Sequence, residues 1–233
     1  MRYFQKIMTK FTVGQQVALL THGYLFVIIA PFFFSCSGSA KGENKNSATP
    51  VSVSPKNIAG EKYLIDTKET VLTWEGTMVF GFDEKHKGYV YTSKGELIID
   101  KDQLVGGTAE IDMNTIEYGD KENKNTPIQH LKSPDYFDVE KFPVSTFSIT
   151  KVAHEVRGNI KVTGNLKIKD VTNAVTFPAR IAIKDGIVTA NGKIIIDRTK
   201  WGIRYRSGKF YDNLADEAVS DEIEINMKIV AKK

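Results

Sequence analysis

The chain has 233 residues, 32 of them basic and 28 acidic, with a formal net charge of +4, 41% apolar residues and a single cysteine. That composition is globular, a lone cysteine excludes an internal disulfide, and so small a basic excess argues against a nucleic-acid partner. Three of the basic residues, Arg2, Lys6 and Lys10, lie in the first 35 positions, where there is no acid, so the rest carries 29 basic against 28 acidic residues and is almost neutral.

Residues 1–35 have the form of an export signal. The cationic start is followed by an apolar run from Tyr24 to Phe34, broken only by Pro31. Such a run suits a signal core and is too short to span a bilayer. It ends at Phe33-Phe34-Ser35-Cys36, which resembles the lipobox of bacterial lipoproteins. That resemblance implies a diacylated Cys36 as the mature N-terminus and a cell-envelope location; Ser37 fits outer-membrane sorting by analogy. Residues 36–61 are rich in Ser, Asn, Lys, Gly, Ala and Pro without apolar periodicity, and read as a flexible tether between the lipidated cysteine and a folded domain at 62–233.

From there the chain alternates. Leu72, Trp74, Met78 and Phe80 share one parity, with Gly76 among them. A second run holds Tyr89 and Tyr91 and continues towards Ile98. Val105, Ala109, Ile111 and Met113 form a third, and Phe147 and Ile149 a fourth. The clearest is Ile160, Val162, Gly164, Leu166 and Ile168, set against Lys161, Thr163, Asn165 and Lys167. Val175 to Ile183, Val188 to Ile196 and Ile223 to Ile229 complete the series. Period-2 alternation marks strands with one dry and one wet face, and short turn-like links such as Lys184-Asp185-Gly186 favour antiparallel neighbours. The expectation is an all-β, single antiparallel barrel of about eight strands, with one or two short helices. The segment Thr126–Asp138 is the main helical candidate, with Ser133 at N-cap and Pro134 at N1; Asp212–Ser220 is a second.

Parity assigns an inward set: Trp74, Met78, Phe80, Ile111, Met113, Phe147, Ile149, Val162, Leu166, Phe177, Ile181, Ile194, Ile196, Ile225 and Met227. These residues either enclose an apolar ligand or fill a solid core, and periodicity does not separate the two. A second cluster, Arg198, Lys200, Trp201, Arg204, Tyr205 and Arg206, interleaves cations with aromatics and is the candidate rim for a lipid headgroup or a membrane surface. His86, His130 and His154 sit apart, with no pair at ligand spacing, and no G-x-S-x-G, P-loop or Rossmann glycine pattern is present. No metal, cofactor or catalytic residue is therefore expected, and nothing fixes an oligomeric state.

His130-Leu131-Lys132-Ser133-Pro134-Asp135-Tyr136-Phe137-Asp138-Val139-Glu140-Lys141-Phe142-Pro143, then Thr146-Phe147, resembles the signature of the YceI-like, polyisoprenoid-binding family. Tyr63 to Asp66, Ile111 to Ile116, Gly164 to Thr172, Phe177-Pro178, Asp197 to Tyr205 and Asp221 to Ile223 agree in order. The resemblance implies a lipocalin-like barrel that holds a long isoprenoid lipid or quinone and has no catalytic residues. Within it, His130 is expected to make a fold-supporting hydrogen bond. Two other readings stand beside it: a solid barrel serving as an envelope adaptor, and an enzyme acting on a lipid in the lumen.

Overall fold

The computed structural model describes residues 58–78, 85–119, 127–214 and 217–233. The signal, Cys36, nearly all of the tether and Phe80 lie outside the described residues. Nine antiparallel strands follow in chain order: β1 (Glu61–Ile65), β2 (Val71–Met78), β3 (Lys85–Asp100), β4 (Gln103–Tyr118), β5 (Val144–His154), β6 (Asn159–Ile168), β7 (Val171–Lys184), β8 (Ile187–Asp197) and β9 (Val219–Lys232). The helix α1 (Ile128–Lys132) lies between β4 and β5. The ladder runs β2-β9-β8-β7-β6-β5-β4-β3 and closes because β3 also pairs with β2.

The extra strand, β1, continues the line of β2. Both pair with β3 on one side and β9 on the other, β1 at Leu64↔Lys232 and β2 at Val71↔Lys228. Barrel closure thus rests on eight staves, one broken at Asp66–Thr70. Thr70 repairs the break: its fully buried hydroxyl donates to Val230 O (3.2 Å) and accepts from Val230 N (3.0 Å).

Three hairpins use two-residue turns with both φ angles positive: Lys101-Asp102, Lys169-Asp170 and Asp185-Gly186. Such turns match the right-handed twist of the strands they join. The β6 burial pattern alternates strictly, with Ile160, Val162, Leu166 and Ile168 buried. Helix α1 begins one turn earlier than expected. Ser133 is its C-cap rather than an N-cap, and the residues after it form turns closed by Tyr136 N and Asp138 N on Ser133 O. The second helical candidate lies partly outside the described residues; a 3-10 turn instead follows β8 at Arg198–Trp201.

Candidate functional site: an apolar lumen

One end of the barrel is packed solid. Tyr63, Ile99, Val188 and Ala231 are buried there in one contiguous core. Above them the interior opens into a cavity of about 400 Å³, within the usual range for small-molecule sites. Ile65, Leu97, Leu104 and Ile160 form its floor, and Ile111, Phe147, Val162, Phe177, Ile194 and Met227 its walls. Each comes from the dry face of its strand. Small residues widen the bore: a Cβ at Gly107 would come within 3.3 Å of Ile149 Cδ1, and one at Gly192 within 3.3 Å of both Phe177 and Met227.

At the far end the cavity reaches exposed Glu222 and half-buried Thr77, His86 and Arg206, so it meets solvent there. Helix α1 and its following turns cross this end, with Leu131, Tyr136 and Phe137 against the interior. Tyr136, His130 and Tyr205 form an aromatic cluster, His130 lying 4.3 Å from Tyr205 and 5.2 Å from Tyr136 between ring centroids. Burial pushes the Tyr136 phenol above its ordinary range. His86 Nδ1 lies 2.9 Å from the Tyr118 hydroxyl. Among the described residues no group of His, Cys, Asp and Glu is placed to hold a metal ion.

The YceI-like domain model matches residues 63–231. The chain belongs to the YceI-like domain family. Sequence relatives of this YceI-like chain include a UPF0312 protein of Shewanella denitrificans, 28% identical over 131 residues, covering 54% of this chain and 64% of that one. Another is Protein YceI of Salmonella arizonae, 33% identical over 112 residues, covering 48% of this chain and 47% of that one. The matches therefore span less than two thirds of these relatives' lengths. Two solved structures share the fold. Burkholderia cenocepacia BcnA superposes with a TM-score of 0.60 at 22% identity, covering 72% of this chain and 99% of that one. A polyisoprenoid binding domain from Saccharophagus degradans, implicated in plant cell wall breakdown, does so at 0.54 and 11% identity, covering 73% and 97%.

In this YceI-like barrel most of the parity set lines the cavity: Trp74, Ile111, Met113, Phe147, Ile149, Val162, Leu166, Phe177, Ile194, Ile196, Ile225 and Met227. Ile181 does not. It is paired with Ala190 beyond Gly192, towards the solid end, and packs against the core. The side chains of Met78 and Phe80 lie outside the described set.

The cationic cluster divides. Arg198 lines the cavity but is 1% exposed and already engaged: Nε donates to Ser220 O, Nη1 to Ile203 O and Nη2 to Val219 O, with Asp221 at 3.6 Å. It ties the β8–β9 connection together rather than presenting a rim charge. Trp201 is buried and donates to Leu166 O, so it is a structural plug. Lys200 and Arg204 are exposed and lie off the cavity, Arg204 stacking 4.6 Å over Phe210. Only Tyr205 and Arg206 are half-buried at its mouth.

Parity reading missed Thr92, Ser145, His86 and His130, all on the cavity wall. Thr92 shares parity with Val90, which was the available signal. The hydrogen bond expected of His130 is absent at Nε2, which is buried without a partner among the described residues.

Proposed function

We propose that this protein is an exported, lipid-anchored binding protein that holds a long-chain isoprenoid lipid in its barrel lumen. The observation that carries the reading is the cavity of about 400 Å³ with almost wholly apolar walls. Burial of a hydrocarbon tail there yields about 0.8 kcal/mol per CH₂ without any directional contact. Membership of the YceI-like family supports it, as does the shared fold with a polyisoprenoid binding domain.

Anchoring rests on the sequence alone: an export signal at 1–35, Cys36 as lipidation site and a tether at 36–61 support a domain held beside a membrane, in the bacterial envelope and facing the periplasm. The open end would then receive its lipid from that surface. A neutral prenyl lipid, including a quinone, fits the same lumen. The protein acts by sequestering or carrying its ligand, not by transforming it. The cavity weighs against the solid-barrel adaptor, and the apolar walls weigh against chemistry in the lumen.

The test is titration of delipidated protein with a polyprenyl alcohol by calorimetry. Saturable 1:1 binding with a negative heat-capacity change supports the reading; no heat and no bound lipid overturns it.

A further inference from the structure

The lumen is not uniformly greasy. Trp74 Nε1, Thr92 Oγ1 and His130 Nε2 are each buried, have no hydrogen-bond partner among the described residues, and belong to side chains that line the cavity. Buried polar atoms in folded proteins are nearly always paired, so unpaired ones facing a cavity mark where a ligand supplies the partner. A hydroxyl can rotate to suit its surroundings, so Thr92 weighs less than the two rings.

Trp74 and His130 both belong to the open end. The Trp74 indole packs over Gly88, where an ideal Cβ would fall 2.6 Å from Cζ2, and its ring centre is 6.3 Å from Tyr118 at the end of β4. His130 stands on α1, which crosses the same end. Thr92 lies on β3 four residues past Gly88, the cross-strand partner of Trp74, about 13 Å along the strand towards the closed end. Between them the β3 wall is Val90, which offers nothing polar.

The charges at this end point the same way. Arg198 donates to three carbonyls and lies 3.6 Å from Asp221, and Arg206 pairs with Glu217 at 2.9 Å. Glu222 adds a negative charge to the lining. Among the described lining residues every arginine is already matched, so a phosphate head would be buried beside no spare cation.

Resting on the isoprenoid reading above, we propose that Trp74 Nε1–H and His130 Nε2 form a polar subsite at the open end of the lumen for a neutral, oxygen-bearing head, a carbonyl or alcohol, and not for a phosphate. Trp74 can only donate, so the head must carry an acceptor oxygen. His130 Nε2 meets a carbonyl as a donor or an alcohol as an acceptor, according to its tautomer. The tail then runs inward past Ile111 and Phe147.

The test uses delipidated protein and four ligands of matched prenyl length: a prenylated benzoquinone, a prenyl alcohol, a prenyl monophosphate and the bare hydrocarbon. One ordinary hydrogen bond corresponds to about 2- to 12-fold in affinity. The quinone and alcohol should bind about 10-fold or more tightly than the hydrocarbon, and the phosphate no more tightly than the hydrocarbon. Trp74→Phe and His130→Phe should each remove part of that preference, read as the ratio of head-bearing to hydrocarbon affinity within the same variant. A phosphate that binds most tightly, or a head preference unchanged in both variants, overturns the subsite. Equal binding of all four ligands overturns the subsite and leaves the carrier reading standing, whereas no binding of any of them overturns both.

Discussion

Arg198 shows how one side chain can change role between sequence and structure. By composition it belongs to a cationic, aromatic-rich loop, and such loops are normally solvated. In the fold its guanidinium is the tie for that loop, holding Ser220, Ile203 and Val219 carbonyls while its face lies 5.6 Å from the Tyr136 ring centre. Removing it leaves three carbonyls without their donor, while Asp221 keeps Lys209 at 3.0 Å. Arg198→Leu should therefore cost about 3–5 kcal/mol of stability in a urea titration, whereas Lys200→Ala, at an exposed site, should stay within about 0.5 kcal/mol. Spacing exposed the cluster but could not divide it, because whether a cation points to water or to backbone depends on where the chain doubles back. The cue present was Asp221, an acid that the fold brings to 3.6 Å from Arg198 across 23 positions of sequence.

Strand alternation was legible wherever strands stay regular. β6 keeps strict parity from Ile160 to Ile168, and its residues fall where alternation puts them. β3 and β4 do not. Their register shifts between Tyr89 and Tyr91, Thr92 and Lys94, and Ile98 and Ile99. Each bulge reverses the parity beyond it. Leu104 and not Val105 therefore joins the cavity wall, and Thr92 turns inward just before parity changes. β1 escaped because a five-residue strand offers too few alternations, and it matters as the lower half of a broken stave. Thr70→Val tests that repair. It keeps the shape and leaves the Val230 N–H and C=O without the hydroxyl, at about 1–3 kcal/mol by urea denaturation. Gly164→Ala tests the packing of β6 on β5. Its Cβ would come within 2.4 Å of Phe147 Cζ and 2.6 Å of Ser148 O, so the melting temperature should fall.

At the scale of the whole molecule, ion pairs pin the strands around the closed end. Lys232 donates to Asp66 and Glu69 at 2.6 Å each, fastening the break in the stave to β9, and these bonds hold the Asp66 carboxyl below the ordinary carboxylate range. At the open end, around Asp197, burial opposes ionisation, but hydrogen bonds from Lys209 and Thr199 outweigh it and its pKa is lowered too. A carboxyl depressed in the folded state lends stability above its unfolded pKa and loses it as pH falls through the folded one. Stability should thus be level from about pH 5 to 7 and decline below about pH 4. Asp66→Asn should flatten that decline while lowering stability at pH 7, as followed by thermal melts across pH.

The same scale decides between carrier and solid barrel. Parity named the inner face, but whether that face fills its own interior depends on the bore and on how small residues such as Gly107, Gly192 and Ala190 are dealt among the staves. Filling the bore is the converse experiment: Ala190→Phe should weaken prenyl binding about 10-fold or more, with the far-ultraviolet circular dichroism unchanged.

The most direct measurement is native mass spectrometry of the protein purified from its own cells, with the released ligand identified after denaturation. A stoichiometric adduct whose mass is that of a single long prenyl lipid is the outcome expected here. Protein that flies ligand-free, and stays so after incubation with prenyl alcohol and prenyl quinone, would contradict it.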